Sequence, residues 1–386
     1  MLFGARWVII VIRFIQEKLF ITNRLSLKIM PTHYLSQSFA GKKVFITGHT
    51  GFKGSWLAFI LHELGAEVMG FALPPATSVN HFDLLKLDEK IQHVTGDIRD
   101  AKLFSNTMQK FQPEFVFHLA AQALVRPSYD DPVSTFSTNV LGSVNLLEAV
   151  RQCKSVRSLV YITSDKCYEN VEWIWGYREN DQLGGRDPYS ASKAAAEIAF
   201  SSYARSFFDQ RPTLGAASTR AGNVIGGGDW AVDRIIPDCI RAIEAGQPVC
   251  LRNPAATRPW QHVLEPLAGY LLLAARLYDE PKRWGGSWNF GPSTNEVRTV
   301  ENVAEIIVSH IGKGSVEIVE SQTQVHEARL LQLNCDKAHQ LLGWYPRWHV
   351  DKTLEATALW YKAIMNGRNA EEITRSQIHE FFPEWK

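Results

Sequence analysis

The chain has 386 residues, 45% of them hydrophobic, enough to bury a full α/β core together with a smaller second lobe. Its formal net charge is +1 and no Lys/Arg cluster forms a stripe, which argues against a nucleic-acid or other polyanionic partner. The five cysteines (Cys153, Cys167, Cys239, Cys250 and Cys335) have no metal-ligand spacing and are odd in number, so reduced thiols in a cytoplasmic protein without a metal site are expected.

Residues 1–29 stand apart. The apolar run Trp7 to Ile12 sits among Arg6, Arg13, Lys18, Arg24 and Lys28, and it is far shorter than the roughly 20 apolar residues that span a bilayer. No stable membrane insertion is therefore expected. Met30-Pro31 comes shortly before the first strand, so the segment reads as an N-terminal extension from a start assigned too early. A basic amphipathic surface anchor is the alternative.

The first strand-turn-helix follows at once. Lys42 to Thr47 is a short apolar strand, Gly48, Gly51 and Gly54 mark a turn, and Trp56 to Leu64 reads as an amphipathic helix. Glycines at this spacing let the backbone turn tightly, approach a pyrophosphate and pack the helix on the strand, with the helix N-terminus facing the phosphates. The strand Glu67 to Phe71 completes a βαβ unit. It ends in Ala72-Leu73-Pro74, with no acidic residue for a ribose hydroxyl and no arginine for a 2′-phosphate, so NAD and NADP are not told apart here. Asp97, after the strand-like Ile91 to Thr95, is a candidate acceptor for an adenine amino group or else a helix cap.

Alternation continues with strand Glu114 to His118, helix Val133 to Arg151, strand Ser158 to Thr163, helix Tyr189 to Phe208 and strand Thr213 to Thr219. This pattern predicts a Rossmann-type, doubly wound parallel sheet over residues 38–219. From Arg220 the texture changes: Gly226-Gly227-Gly228-Asp229-Trp230 and a wealth of Trp and Pro suggest a smaller substrate-binding lobe over 220–386, with some segments returning to the first domain. Arg220, Asn223, Arg234, Arg258 and His262 lie in or near its loops, where arginines can grip a diphosphate. The tail from Glu371 to Lys386 reads as a polar closing helix with an aromatic end.

Tyr189 and Lys193, four apart, carry the chemistry. A phenol with a reference pKa near ~10 is a poor base at neutral pH, but a lysine one helical turn away favours its anion. Such a group takes the proton of an alcohol while a hydride leaves the carbon, and Ser164 can hold the same oxygen. Thr163-Ser164-Asp165-Lys166 ends the apolar strand, where open α/β sheets bind ligands.

The glycine loop Gly48-His49-Thr50-Gly51-Phe52-Lys53-Gly54, the Tyr189/Lys193 pair and Thr219-Arg220-Ala221-Gly222-Asn223 together resemble the extended short-chain dehydrogenase/reductase family across nearly all of residues 38–386. Ser164-Asp165-Lys166-Cys167-Tyr168 and Arg258-Pro259-Trp260-Gln261-His262 resemble its CDP-glucose 4,6-dehydratase branch, in which Lys166 stands where other sugar-nucleotide 4,6-dehydratases carry Glu. The resemblance implies a lyase that converts CDP-glucose to the 4-dehydro-6-deoxy sugar on one recycled NAD. It implies Ser164, Asp165, Lys166, Tyr189 and Lys193 as catalytic residues, and Gly48, Thr50, Gly51, Phe52, Lys53, Gly54, Asp97, Ile98, Ala120 and Ala121, with Tyr189 and Lys193, at the cofactor. Gln122, Asn223, Arg234, Arg258 and His262 are implied at the substrate, Asn139 as a structural asparagine, and a homodimer or higher homo-oligomer through the helices Val133 to Arg151 and Tyr189 to Phe208. Lys166 is either the C5 base, which requires a pKa below lysine's usual ~10.4, or a charge that stabilises an enolate. A 4-epimerase shares the cofactor loop, Tyr189 and Lys193 but needs no acid and base for elimination, so Asp165-Lys166 discriminates against it. A cofactor-sensing protein without catalysis is the rival from another class.

Overall fold

The computed structural model describes residues 32–293, 296–319 and 330–383; the extension 1–29 and the last residues of the tail lie outside the described residues. The expected strands form, numbered along the chain: β1 Lys43–Thr47, β2 Glu67–Ala72, β3 Gln92–Thr95, β4 Phe115–His118, β5 Ser158–Ile162 and β6 Gly215–Arg220. A seventh strand, Gly286–Asn289, joins the free side of β6. The order is Gly286–Asn289, β6, β5, β4, β1, β2, β3, and every neighbouring pair is parallel.

Side-chain alternation explains why the sheet has two cores. Val44 and Ile46 of β1 enter one apolar cluster and Phe45 between them enters the other. Every residue of β4, β5 and β6 is buried, as covered parallel strands require. The strand order reverses between β1 and β4, which opens a crevice at their carboxyl ends.

The helices depart from expectation in instructive ways. The helix after the glycine turn spans Phe52–Glu63, and Gly54 to Leu61 are all buried, so it is not amphipathic. Its outer side is covered by later chain: Trp56 stacks on His81 at 5.1 Å, meets His262 edge-on, and donates its indole N–H to the Gly227 carbonyl. The expected helix Val133 to Arg151 is three pieces, Pro132–Phe136, a π-helical segment Ser137–Gly142 and Ser143–Gln152. The helix of Tyr189 runs Pro188–Tyr203 and likewise ends in a π-helical segment, Ala204–Phe208. Such π-helical stretches are rare and occur mostly as single turns inside α-helices, so an unbroken helix is the ordinary expectation from sequence.

The second half re-enters the first. Helix Leu264–Asp279 packs against β5 and β6, and Ser158 on β5 donates to the Ala274 carbonyl. The closing helix is Ala370–Phe381, with Ile378 and Phe381 buried. Among the described residues no helix is long and apolar enough to cross a membrane, and no group of His, Cys, Asp and Glu is placed to hold a metal ion.

Candidate active site

A cleft of about 1210 Å³ runs along the carboxyl ends of the sheet, from the glycine loop past the end of β5 to the loops after β6. One wall is the turn between β1 and the helix Phe52–Glu63. Gly48 has φ +76, and a Cβ there would lie 2.7 Å from the Ala120 nitrogen; one on Gly54 would lie 2.1 Å from the Gly48 carbonyl oxygen. Both glycines are fixed by packing. Gly51 is exposed to the cleft and forms the helix N-cap without a side-chain hydrogen bond, and the first turn holds no acidic residue. The helix therefore presents unsatisfied N–H groups and its positive end to the cleft, which fits the pyrophosphate of a dinucleotide. Thr50, Phe52, Lys53, Ala120 and Ala121 line the same cleft.

At the far end of this wall lie Leu73, Asp97 and Ile98. Asp97 does not cap the next helix; Asp100 does, by accepting from the Leu103 N–H. The Asp97 carboxylate is instead gripped by Arg99, whose hydrogen bonds hold its pKa below the usual aspartate range.

Local sequence places the catalytic helix. Asp187 accepts from the Ser190 N–H at 2.9 Å and Pro188 occupies the first turn, so the helix starts one residue before Tyr189. The Tyr189 hydroxyl lies in the neighbourhood of Ser164, which draws the phenol's pKa downward. Ser164 in turn caps the short turn Asp165–Cys167, donating to Asp165 at 3.0 Å and accepting from the Lys166 N–H at 3.2 Å. Asp165 is buried against Gly222, where an added Cβ would sit 1.8 Å from its Oδ2. Lys166 is half-buried and faces the cleft without an ion pair among the described residues. Asn139, placed by the π-helical segment, donates to Ser192 and to the Gln122 carbonyl, tying the β4 loop to the helix of Tyr189.

Electrostatics amend one expectation. Burial pushes the Tyr189 phenol up to about 12, against the downward pull of Ser164; Asp165 adds to the rise and Arg234 opposes it. Burial and then the nearby Lys53 push Lys193 down to about 8. Burial and Arg234 do the same to Lys53, with Asp165 opposing. The helical spacing of Tyr189 and Lys193 does not by itself make a phenolate, because burial penalises the charged form of both groups. Ser164 and Arg234 supply the counter-pull.

The expected substrate residues divide. Asn223, Arg234 and Arg258 line the cleft, Asn223 in a left-handed conformation with φ +51. Gln122 lines it too, but its amide is occupied by Leu124 and Thr135. His262 is a correction: it is fully buried off the cleft between Trp56 and Trp348, and burial drives its pKa down to about 3. Arg220 is a second one. Its guanidinium is buried, paired with Glu197 at 2.9 Å and bonded to the Tyr168 hydroxyl and the Glu179 carbonyl, so it cannot reach a diphosphate. Sequence reasoning missed Glu197, whose signal was its place on the face of Tyr189 and Lys193, one turn further along.

Comparison with known proteins matches residues 45–357 to the family described as GDP-mannose 4,6 dehydratase. A CDP-glucose 4,6-dehydratase from Salmonella typhimurium is 48% identical over 345 residues, covering 88% of this chain and 96% of that protein. A dTDP-glucose 4,6-dehydratase from Xanthomonas campestris is 24% identical, covering 82% of this chain and 92% of that one. Among solved structures, UDP-glucose 4-epimerase from Thermus thermophilus in complex with NAD superposes with a TM-score of 0.71 at 27% identity, over 83% of this chain and 99% of its own.

Proposed function

Because the chain belongs to the GDP-mannose 4,6 dehydratase family, we propose that it is a CDP-glucose 4,6-dehydratase, a hydro-lyase that turns CDP-glucose into CDP-4-dehydro-6-deoxyglucose and water with NAD as a recycled cofactor. One observation carries this reading: Asp165 and Lys166 stand in the same cleft as Tyr189, so groups for an elimination are joined to groups for an alcohol oxidation. The close match to the Salmonella CDP-glucose 4,6-dehydratase supports the substrate.

NAD fits the uncapped helix N-terminus and the Gly48, Gly51 and Gly54 cradle, and when bound it accepts a hydride from C4 and returns it to C6. The residues of the chain manage the protons. Tyr189 takes the proton of the 4-hydroxyl, which Ser164 orients. The 4-keto group then acidifies the C5 hydrogen, and Lys166 acts either as the base that takes it or by holding the charge of the enolate while solvent takes the proton. Asp165 protonates the 6-hydroxyl as the C6–O bond breaks, so that water leaves. A proton returns to C5 as the hydride reaches C6, and the proton gained by Tyr189 replaces, through solvent, the one Asp165 gave to the departing water. Asn223, Arg234 and Arg258 are assigned to the nucleotide-sugar, and the cofactor lobe 38–219 and substrate lobe 220–386 belong to the same reading.

A product assay across CDP-, dTDP- and GDP-glucose tests reaction and base together. A 4-keto, 6-deoxy product from CDP-glucose is expected. Inversion at C4 without loss of water would establish an epimerase instead. A second copy is assigned to the helical face that exposes Val133, Leu141, Ile198 and Phe207; light scattering coupled to size exclusion should give twice the chain mass or a multiple of it.

Gly222 offers a probe of the acid. With a methyl on Gly222 the Asp165 carboxylate must move, and small misplacements of a reacting group are costly. Gly222→Ala should lower turnover on the order of tenfold, while the circular dichroism spectrum stays that of the parent. Parental turnover would show that Asp165 tolerates displacement.

A further inference from the structure

The run Gly226-Gly227-Gly228-Asp229-Trp230 has no role in the chemistry above, yet it is a tightly packed loop of the cleft. A Cβ on Gly227 would lie 2.0 Å from the Trp360 ring, and one on Gly228, at φ +87, would lie 2.6 Å from the His81 ring. Gly227 and Gly228 therefore bring backbone onto aromatic rings with no room for a side chain, while Gly226 lies against Val263. The next residue is held at both ends of its peptide frame: the Asp229 N–H donates to the Tyr361 hydroxyl at 3.0 Å, and that hydroxyl donates to the Asp229 carbonyl. Trp230 then lies edge-on to Trp360 and Tyr361. All of this fixes one buried carboxylate. Asp229 Oδ1 accepts from the Ala231 N–H at 3.0 Å, and Oδ2 accepts from Arg234 Nη1 at 2.7 Å.

Arg234 lines the cleft, and its charge is felt by both Tyr189 and Lys53. A free arginine side chain on a loop loses rotamer entropy when it grips a ligand. Held through one N–H, its guanidinium is pre-aimed, and the fork keeps further donors for a second anion. We propose that Asp229, clamped by Tyr361, is a positioning residue that pre-orients Arg234 to bind the diphosphate of the nucleotide-sugar. The proposal rests on the reading of the substrate as a nucleoside diphosphate sugar. The helix Val350–Met365, which carries Tyr361, thereby contributes to ligand affinity although Tyr361 itself is buried.

A double-mutant cycle on the NAD-loaded full chain tests this, with KM and kcat for CDP-glucose and inhibition constants for CDP and for cytidine. Asp229→Asn keeps the shape and the acceptor for Ala231 but removes the charge facing Arg234. It should raise KM and the CDP inhibition constant about tenfold, with kcat changed less than threefold (~) and the cytidine constant unmoved. In an Arg234→Ala background the same substitution should add less than about twofold. An equal loss in both backgrounds, or a parallel loss for CDP and cytidine, would overturn the proposal and leave Asp229 a holder of the loop. If Asp229→Asn does not fold, Tyr361→Phe enters the cycle in its place with the same expected coupling. A wild-type chain that ignores CDP but is inhibited by another nucleoside diphosphate overturns the cytidine reading alone, and the cycle run with that diphosphate still decides the coupling.

Discussion

Tyr189→Phe is expected to bind CDP-glucose as the parent does and to lose turnover by about 10² to 10⁴, the usual contribution of a general base. Only an ionisable oxygen is removed, and the Tyr189 ring keeps its buried place on the helix that starts at Pro188. The pH profile carries a second test. The active form of the phenol is the anion, so the rate rises with pH as the proton is lost. Burial raises the pKa to about 12 and Ser164 lowers it. Ser164→Ala removes that downward pull, so the rising limb should move to higher pH. The check is kcat/KM measured from neutral to alkaline pH for the parent and for Ser164→Ala. Turnover of Tyr189→Phe within a few fold of the parent would remove the residue from its role, and a limb that moves to lower pH would take Ser164 out of the phenol's environment.

Local rules made much of the site legible. The glycine loop is readable because each glycine answers a short-range demand, such as the positive φ of Gly48 or the contact of Gly54 with the Gly48 carbonyl. Tyr189 and Lys193 are readable because Asp187 and Pro188 set their helix within the same stretch of chain. Residues fixed by distant chain were misread. Arg220 has the right charge for a diphosphate, yet it lies on a strand buried at every position and meets Glu197 instead. His262 follows a cleft arginine closely in sequence, but two tryptophans from remote segments enclose it. Asp229 was passed over because its clamp, Tyr361, comes 132 residues later. The sign of the Tyr189 shift was missed for a related reason: spacing along a helix gives neighbours, whereas burial is a property of the whole fold.

Lys166→Ala should separate the two halves of the reaction, because Tyr189, Lys193 and Ser164 remain to oxidise C4 while elimination loses the group assigned to C5. Overall turnover is expected to fall by about 10² or more. Rapid-quench mass spectrometry should still find the 4-keto glucose nucleotide in the first turnover, with the 6-deoxy product lagging, and exchange of the C5 hydrogen with solvent deuterium should slow in parallel. The geometry favours such a separation. Lys166 reaches the cleft from the short turn that Ser164 caps, and the Ser164 oxygen contacts its backbone N–H rather than its ammonium, so truncating the side chain leaves Ser164 in place near Tyr189. Lys166→Glu discriminates between the roles left open for the lysine: a carboxylate can take a proton but cannot stabilise an enolate by charge, so partial recovery of C5 exchange marks a base and continued loss marks an electrostatic role. The opposite pattern, in which Lys166→Ala abolishes C4 oxidation while C5 exchange from supplied 4-keto sugar stays normal, would move Lys166 out of the elimination and into the binding of cofactor or substrate.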